Sequence, residues 1–221
     1  MSAGSFDYAQ DRLPDTRAFG RLQKAVLHPL HRQSGDRLYV ITGGPGAGKT
    51  AILHELQRRG FACVPEAARQ IIQEQVSSGG NAVPWLDTER YTSLMLKKSV
   101  EGYLAYSGAA HVTFFDRGIL DTITHARINN LRLSEEAYSQ AQTYRYNRKV
   151  FLAPPWQQIY ETDSERKQTF EEALVSFRRN KEVYTEYGYD HVEIPVGTVE
   201  TRVDFILASI QSDFASRQLA T

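Results

Sequence analysis

The chain has one cysteine, two methionines and two tryptophans among its 221 residues. A lone Cys63 excludes an intramolecular disulfide and any cysteine-cluster metal site. Neither sign of charge is in excess, since 26 Lys and Arg balance 26 Asp and Glu. The bulk attraction that draws basic proteins to nucleic acid is therefore missing, and no specific nucleic-acid partner is expected. No stretch approaches the ~18 apolar residues that span a bilayer. The opening Met1-Ser2-Ala3-Gly4-Ser5-Phe6-Asp7 has neither the basic nor the apolar region of a signal peptide. A cytoplasmic setting is expected. The six histidines show no metal-ligand spacing. What remains is an ordinary globular balance, 41% hydrophobic and 24% charged, enough for one large domain with short additions.

Strand and helix patterns alternate after a polar start. Residues 1–36 read as an amino-terminal arm with a short helix over about 16–33. Arg12, Arg17, Arg21, Lys24, Arg32 and Arg37 outnumber the acids of that stretch. Such an arm suits a solvated face first and a peripheral contact with an acidic membrane second. Short apolar runs predict strands at 38–42, 61–64, 111–115, 149–152 and 191–194. Helical stripes fall between them, among them a long helix capped by Asp87 and a last one beginning near Val199. Five strands alternating with helices predict a three-layer α/β fold with a five-stranded, mainly parallel sheet. The main domain is expected over residues 37–216, with a tail at 217–221.

The strongest chemical signal is Gly43-Gly44-Pro45-Gly46-Ala47-Gly48-Lys49-Thr50, a full match to G-x-x-x-x-G-K-[ST] between a strand and a helix. Glycines allow the tight turn that aims backbone N–H groups inward. The following helix adds its positive dipole end. Lys49 reaches the β- and γ-phosphates of a nucleotide, and the Thr50 hydroxyl suits Mg²⁺. ATP with Mg²⁺ is the expected cofactor, with GTP as the alternative.

Candidate partners of this loop sit at other strand ends, where open parallel sheets collect ligands. Asp116 ends the third strand and is a second candidate for Mg²⁺. It is followed by Arg117, not by the Glu that orients water in many ATPases. That favours transfer to an acceptor over hydrolysis, with Arg117 clamping phosphoryl oxygens. Glu66 follows the second strand and suits a general base for a substrate hydroxyl, and Arg69 lies three residues on. The polar segment from about Gln157 to Gln168 has the composition of a lid, with Arg166 as first candidate to cover the triphosphate and Arg148 as second. Asp163 or Ser164 would cap the helix after it. Trp85 faces an acceptor or packs. Seven of the twelve tyrosines fall between Tyr138 and Tyr189, for core packing or for a pocket that takes a planar ring.

The segments ITGGPGAGKT, VPEAARQII, FFDRGILDT, YRYNRKVFLAPPW, YETDSERKQTFEEA and VEIPVGTVETRVDFIL together resemble a P-loop family of AAA-like ATPases. That family includes the ribosylnicotinamide-kinase domain of the NadR regulator and the insect translocation-defect protein. The resemblance covers roughly residues 38–208. It implies a nucleoside- or nucleotide-kinase type of P-loop fold, with Glu66 as base, Asp116 and Arg117 serving metal and phosphate, and Arg166 in a lid. It also implies adenine held near Pro195-Val196-Gly197. The 37 residues before the first strand leave no room for the nucleotidyl-transferase domain that precedes the kinase in NadR. The function expected is transfer of phosphate from Mg-ATP to a small hydroxylated acceptor such as a nucleoside. The alternatives are a nucleotide-dependent switch that binds lipid or a partner, as the insect member implies, and a plain ATPase.

Overall fold

A computed structural model describes residues 35–159 and 169–219. The arm expected over 1–36, except for its last turn at 35–36, and most of the lid segment lie outside the described residues. Five strands form: β1 Leu38–Gly43, β2 Ala62–Val64, β3 Thr113–Asp116, β4 Lys149–Ala153 and β5 Asp190–Glu193. They pair in parallel in the order β2-β3-β1-β4-β5. The α-helices among the described residues are α1 Lys49–Arg58, α2 Ala67–Ser78, α3 Thr88–Tyr106, α4 Ile119–Ile128, α5 Glu135–Thr143, α6 Phe170–Glu186 and α7 Val199–Leu219.

The strand sequences explain the order. The central strands β1, β3 and β4 are nearly continuous apolar runs and are buried on both faces. The edge strands β2 and β5 are only partly buried. Alternation along β1 sorts its side chains into two cores. Leu38 and Val40 join Phe115, Val150 and Leu152 beneath α3, α4, α5 and α6. Tyr39 and Ile41 join Phe114 and Phe151 against Ile52 and Leu56 of α1 and Val203, Ile206 and Ile210 of α7. Two helical layers therefore enclose one sheet, as expected. Most of the described tyrosines late in the chain are core: Tyr146, Tyr184 and Tyr189 are buried, Tyr144 and Tyr187 pack against them, and Tyr146 also lines a cavity.

Element limits differ from expectation by a residue or two. β3 starts at Thr113, whose N–H reaches Arg37 O at 2.9 Å, and runs on to include Asp116. α2 starts at Ala67, because Glu66 keeps an extended backbone at φ −60° and ψ 118°. Asp87 caps α3 as predicted, accepting from Arg90 N at 3.0 Å. The cap of α6 is Thr169, in a reciprocal box with Glu172, and not Asp163 or Ser164. No helix among the described residues is long and apolar enough to cross a membrane.

The starts of β1 and β4 are tied by Asn147, which is 2% exposed. Its Nδ2 donates to Asp36 O at 2.6 Å, its Oδ1 accepts from Lys149 N at 2.9 Å, and its own N–H donates to Leu38 O at 2.8 Å. Replacing Asn147 by Ala removes the partner of a part-buried carbonyl and a part-buried amide, which costs about 2 kcal/mol. Urea unfolding of Asn147→Ala is expected to show that loss; a change within about 0.5 kcal/mol of zero would overturn the tie.

Candidate active site

The phosphate-binding loop forms where the sequence places it, between β1 and α1. Gly43 has φ 143°, and a Cβ there would lie 2.2 Å from Ala153 O. Gly48 adopts the left-handed conformation at φ 74° and caps α1 without a side chain. Lys49 is buried and curls back, its Nζ donating to Gly44 O at 2.8 Å. Thr50 is exposed on the first turn of α1. From α7, the neighbour of α1 in the same helical layer, Arg202 donates from Nη2 to Ala47 O at 2.9 Å. Only 3% of Arg202 is exposed, and burial lowers its pKa below the ordinary arginine range. Arg202 was not anticipated. Its signal was a cation three residues after Val199, on the apolar stripe of the last helix.

Glu66, Asp116 and Arg117 come together at the carboxyl ends of β2 and β3. Arg117 follows Asp116 in a left-handed backbone conformation, φ 68°, which is uncommon outside glycine. Its Nε donates to Glu66 Oε1 at 2.8 Å and its Nη1 to Asp121 Oδ1 at 3.0 Å. Burial opposes the guanidinium charge, but Glu66, Asp121 and Asp116 more than offset it, so the group is held protonated. Asp121, in the first turn of α4, was also missed by sequence reasoning. It accepts from Gly118 N at 2.8 Å, from Tyr184 Oη at 2.8 Å and from Thr42 Oγ1. Cys63, on β2, is no nucleophile: burial and then Asp116 push its thiol up to about 12.

Two adjoining cavities share Glu66, Arg117 and Asp121. The smaller, about 260 Å³, also reaches Asp116 and Tyr146. The larger, about 580 Å³, runs from Pro45 of the phosphate loop past Glu66 and Arg117 to Trp85, Tyr91 and His125. That volume suits a small-molecule ligand. The structure thus joins Pro45, Glu66, Arg117 and Trp85 around one space, with Trp85 57% exposed. Arg69 is half-buried on α2 and is not among the residues that line either cavity. Arg148 lies just before β4, at the amino ends of the strands, and pairs with Asp190 at 2.8 Å. Its place as a lid residue is corrected, because ligands gather at the opposite edge of the sheet. Arg166 lies outside the described residues.

This fold is that of P-loop nucleoside and nucleotide kinases. The deoxyadenosine kinase of M. mycoides with bound dCMP and dCDP matches it with a TM-score of 0.57 at 16% identity, over 79% of this chain and 99% of that one. NadR in complex with NR matches with a TM-score of 0.58 at 17% identity, over 80% of this chain but only 51% of that one. Shikimate kinase from Acinetobacter baumannii with shikimate gives 0.52 at 15%, over 82% and 96%. No curated protein sequence matches significantly. A model for the AAA domain matches residues 38–202, and the chain belongs to that family.

His125 lines the larger cavity, and its pKa is lowered from 6.5 to about 4 by burial and then by Arg117. The unfolded chain therefore binds a proton at this site before the folded one does. Stability is expected to fall as pH drops from about 6.5 towards 4. In His125→Phe that contribution disappears, and unfolding midpoints between pH 7 and 5 should decline less than in the wild type. Parallel declines would overturn the assignment.

Proposed function

We propose that the chain is a Mg-ATP-dependent phosphotransferase that acts on a small hydroxylated acceptor such as a nucleoside, through a P-loop domain over residues 37–216. The observation that carries this reading is the shared cavity: the Glu66 carboxylate, held by Arg117, opens onto the same space as Pro45 of the phosphate loop. A base and a cation beside a triphosphate loop, in a cavity of small-molecule size, are what transfer to a bound hydroxyl requires.

The roles follow from chemistry. Gly43, Gly44, Pro45, Gly46, Ala47 and Gly48 cradle the phosphates, and Lys49 leaves the Gly44 carbonyl for the β- and γ-oxygens. Thr50 offers a hydroxyl oxygen and the buried Asp116 a carboxylate, a hard-oxygen pair that fits Mg²⁺. The ion supplies charge neutralisation on the phosphates. Glu66 accepts the proton of the acceptor hydroxyl as its oxygen bonds to the γ-phosphorus and the bond to the β-bridging oxygen breaks. Arg117 and, from the segment after β4, Arg166 steady the transferring charge. Arg117 standing where a water-orienting Glu would serve hydrolysis favours this over a plain ATPase.

The test measures nucleotide turnover with Mg-ATP or Mg-GTP, alone and with deoxyadenosine, nicotinamide riboside and shikimate. One acceptor is expected to raise turnover and emerge phosphorylated. Lys49→Ala should lower that rate at least ~100-fold with the fold intact. Glu66→Gln should lower kcat by about 10²–10⁴ with little change in nucleotide affinity. Nucleotide binding with no acceptor effect would replace this reading with the switch.

A further inference from the structure

The acceptor end of the larger cavity contains a histidine whose protonation state is set by its neighbours. Thr92 of α3 is 1% exposed, and its hydroxyl donates to Thr88 O at 2.7 Å. A threonine hydroxyl has one hydrogen, so Thr92 Oγ1 is then an acceptor only. His125 Nδ1 lies 3.0 Å from that oxygen. With the Thr92 hydrogen on Thr88 O, the bond between them places a hydrogen on Nδ1. In a neutral ring this leaves Nε2 with a lone pair and no hydrogen. A second proton is opposed by burial and by the nearby Arg117 cation. Tyr91 meets the imidazole edge-on at 5.4 Å and limits its rotation.

Asn180 of α6 lines the same cavity, is 1% exposed, and its Oδ1 has no hydrogen-bond partner. A buried amide end left unpaired is costly unless a ligand completes it. The cavity also has apolar wall residues, Trp85, Met95 and Val175. A planar ring lies against such a wall, and a donor on the ring meets the acceptor atoms.

We infer that His125 determines which acceptor the site takes: its Nε2 accepts a hydrogen bond from an amino or amide N–H on the planar ring of a ribosyl compound, with Asn180 beside it. The inference rests on the acceptor reading of this cavity. It defines the chemistry at the end of the acceptor remote from the reacting hydroxyl. His125 touches the acceptor and takes no part in the transfer. A ring without the donor leaves Nε2 desolvated and unpaired, and discrimination by a missing hydrogen bond exceeds discrimination by shape.

The experiment uses the whole chain without nucleotide, so that binding is read apart from transfer. Calorimetry compares three pairs that differ in the ring donor: adenosine with purine riboside, cytidine with 2-pyrimidinone riboside, and nicotinamide riboside with nicotinic acid riboside. The wild type is expected to prefer the donor-bearing member of at least one pair by about tenfold. His125→Phe should bring that preference close to one, and His125→Gln, which keeps an amide donor for Thr92 and an acceptor oxygen, should retain most of it. Nitrogen-15 imidazole spectra of the wild type should show the Nδ1–H tautomer at pH 7, a readout that needs no variant to fold. An Nε2–H tautomer or an imidazolium overturns the inference. So does unchanged discrimination in folded His125→Phe, or a wild type that distinguishes no pair or binds none. Donor-dependent binding without phosphorylation in the presence of Mg-ATP would remove the phosphotransferase reading and leave the role of His125 standing.

Discussion

The carboxylate of Asp121 is the contact on which the site depends. It is 4% exposed and receives Arg117, Gly118 N, Tyr184 Oη and Thr42 Oγ1. Those donors come from the end of β1, the turn after β3, and α6. Thr42 immediately precedes the phosphate loop, so the loop and Arg117 are referred to one fixed point. Arg117 holds a left-handed backbone that costs roughly 1–2 kcal/mol, and its two carboxylate bonds stabilise it there. Removing one partner from such a buried pair typically costs 3–5 kcal/mol, because the other charge is left in a low-dielectric space. Glu66 is positioned last, through Arg117. A change at Asp121 would therefore reach the candidate base without touching it.

The second constraint is where positive charge goes. Arg117 is matched by carboxylates on both sides. Lys49 donates to Gly44 O and Arg202 to Ala47 O, both carbonyls of the loop. Two cations thus lie against the loop and contribute to the field there. Burial lowers the pKa of Arg202 below the ordinary arginine range. The helix dipole of α1 adds to the same field.

How legible these features were in the sequence depended on how local they are. The phosphate loop is eight consecutive residues, and its glycines serve the turn they sit in, so motif and structure coincide. The strands were legible because three of them are apolar on both faces. Glu66, Asp116 and Arg117 could be placed at one sheet edge because each directly follows a strand. Arg148 precedes its strand, and the same rule assigns it to the opposite edge, where it meets Asp190. Asp121, Arg202 and His125 act between elements that are distant in the chain, on partners 79, 155 and 33 residues away. Nothing in their immediate sequence signals those partners, beyond a polar residue on a helical face that the core claims.

That difference in range separates two halves of the site. The phosphate half is made largely of backbone, and backbone geometry survives wide changes in side chains. Structures at 14–17% identity therefore share this fold while their names carry different ligands. The other half, proposed to take the acceptor, is a wall of side chains from α2, α3, α4 and α6 and the turn before α3. Each of those side chains is set by packing against a different element, as His125 is set by Thr92 and Tyr91. A family model can thus fix the nucleotide half and leave the acceptor open. On the proposed reading, specificity resides in the few buried polar atoms of that wall, such as Asn180 Oδ1, whose partners the folded protein does not itself supply.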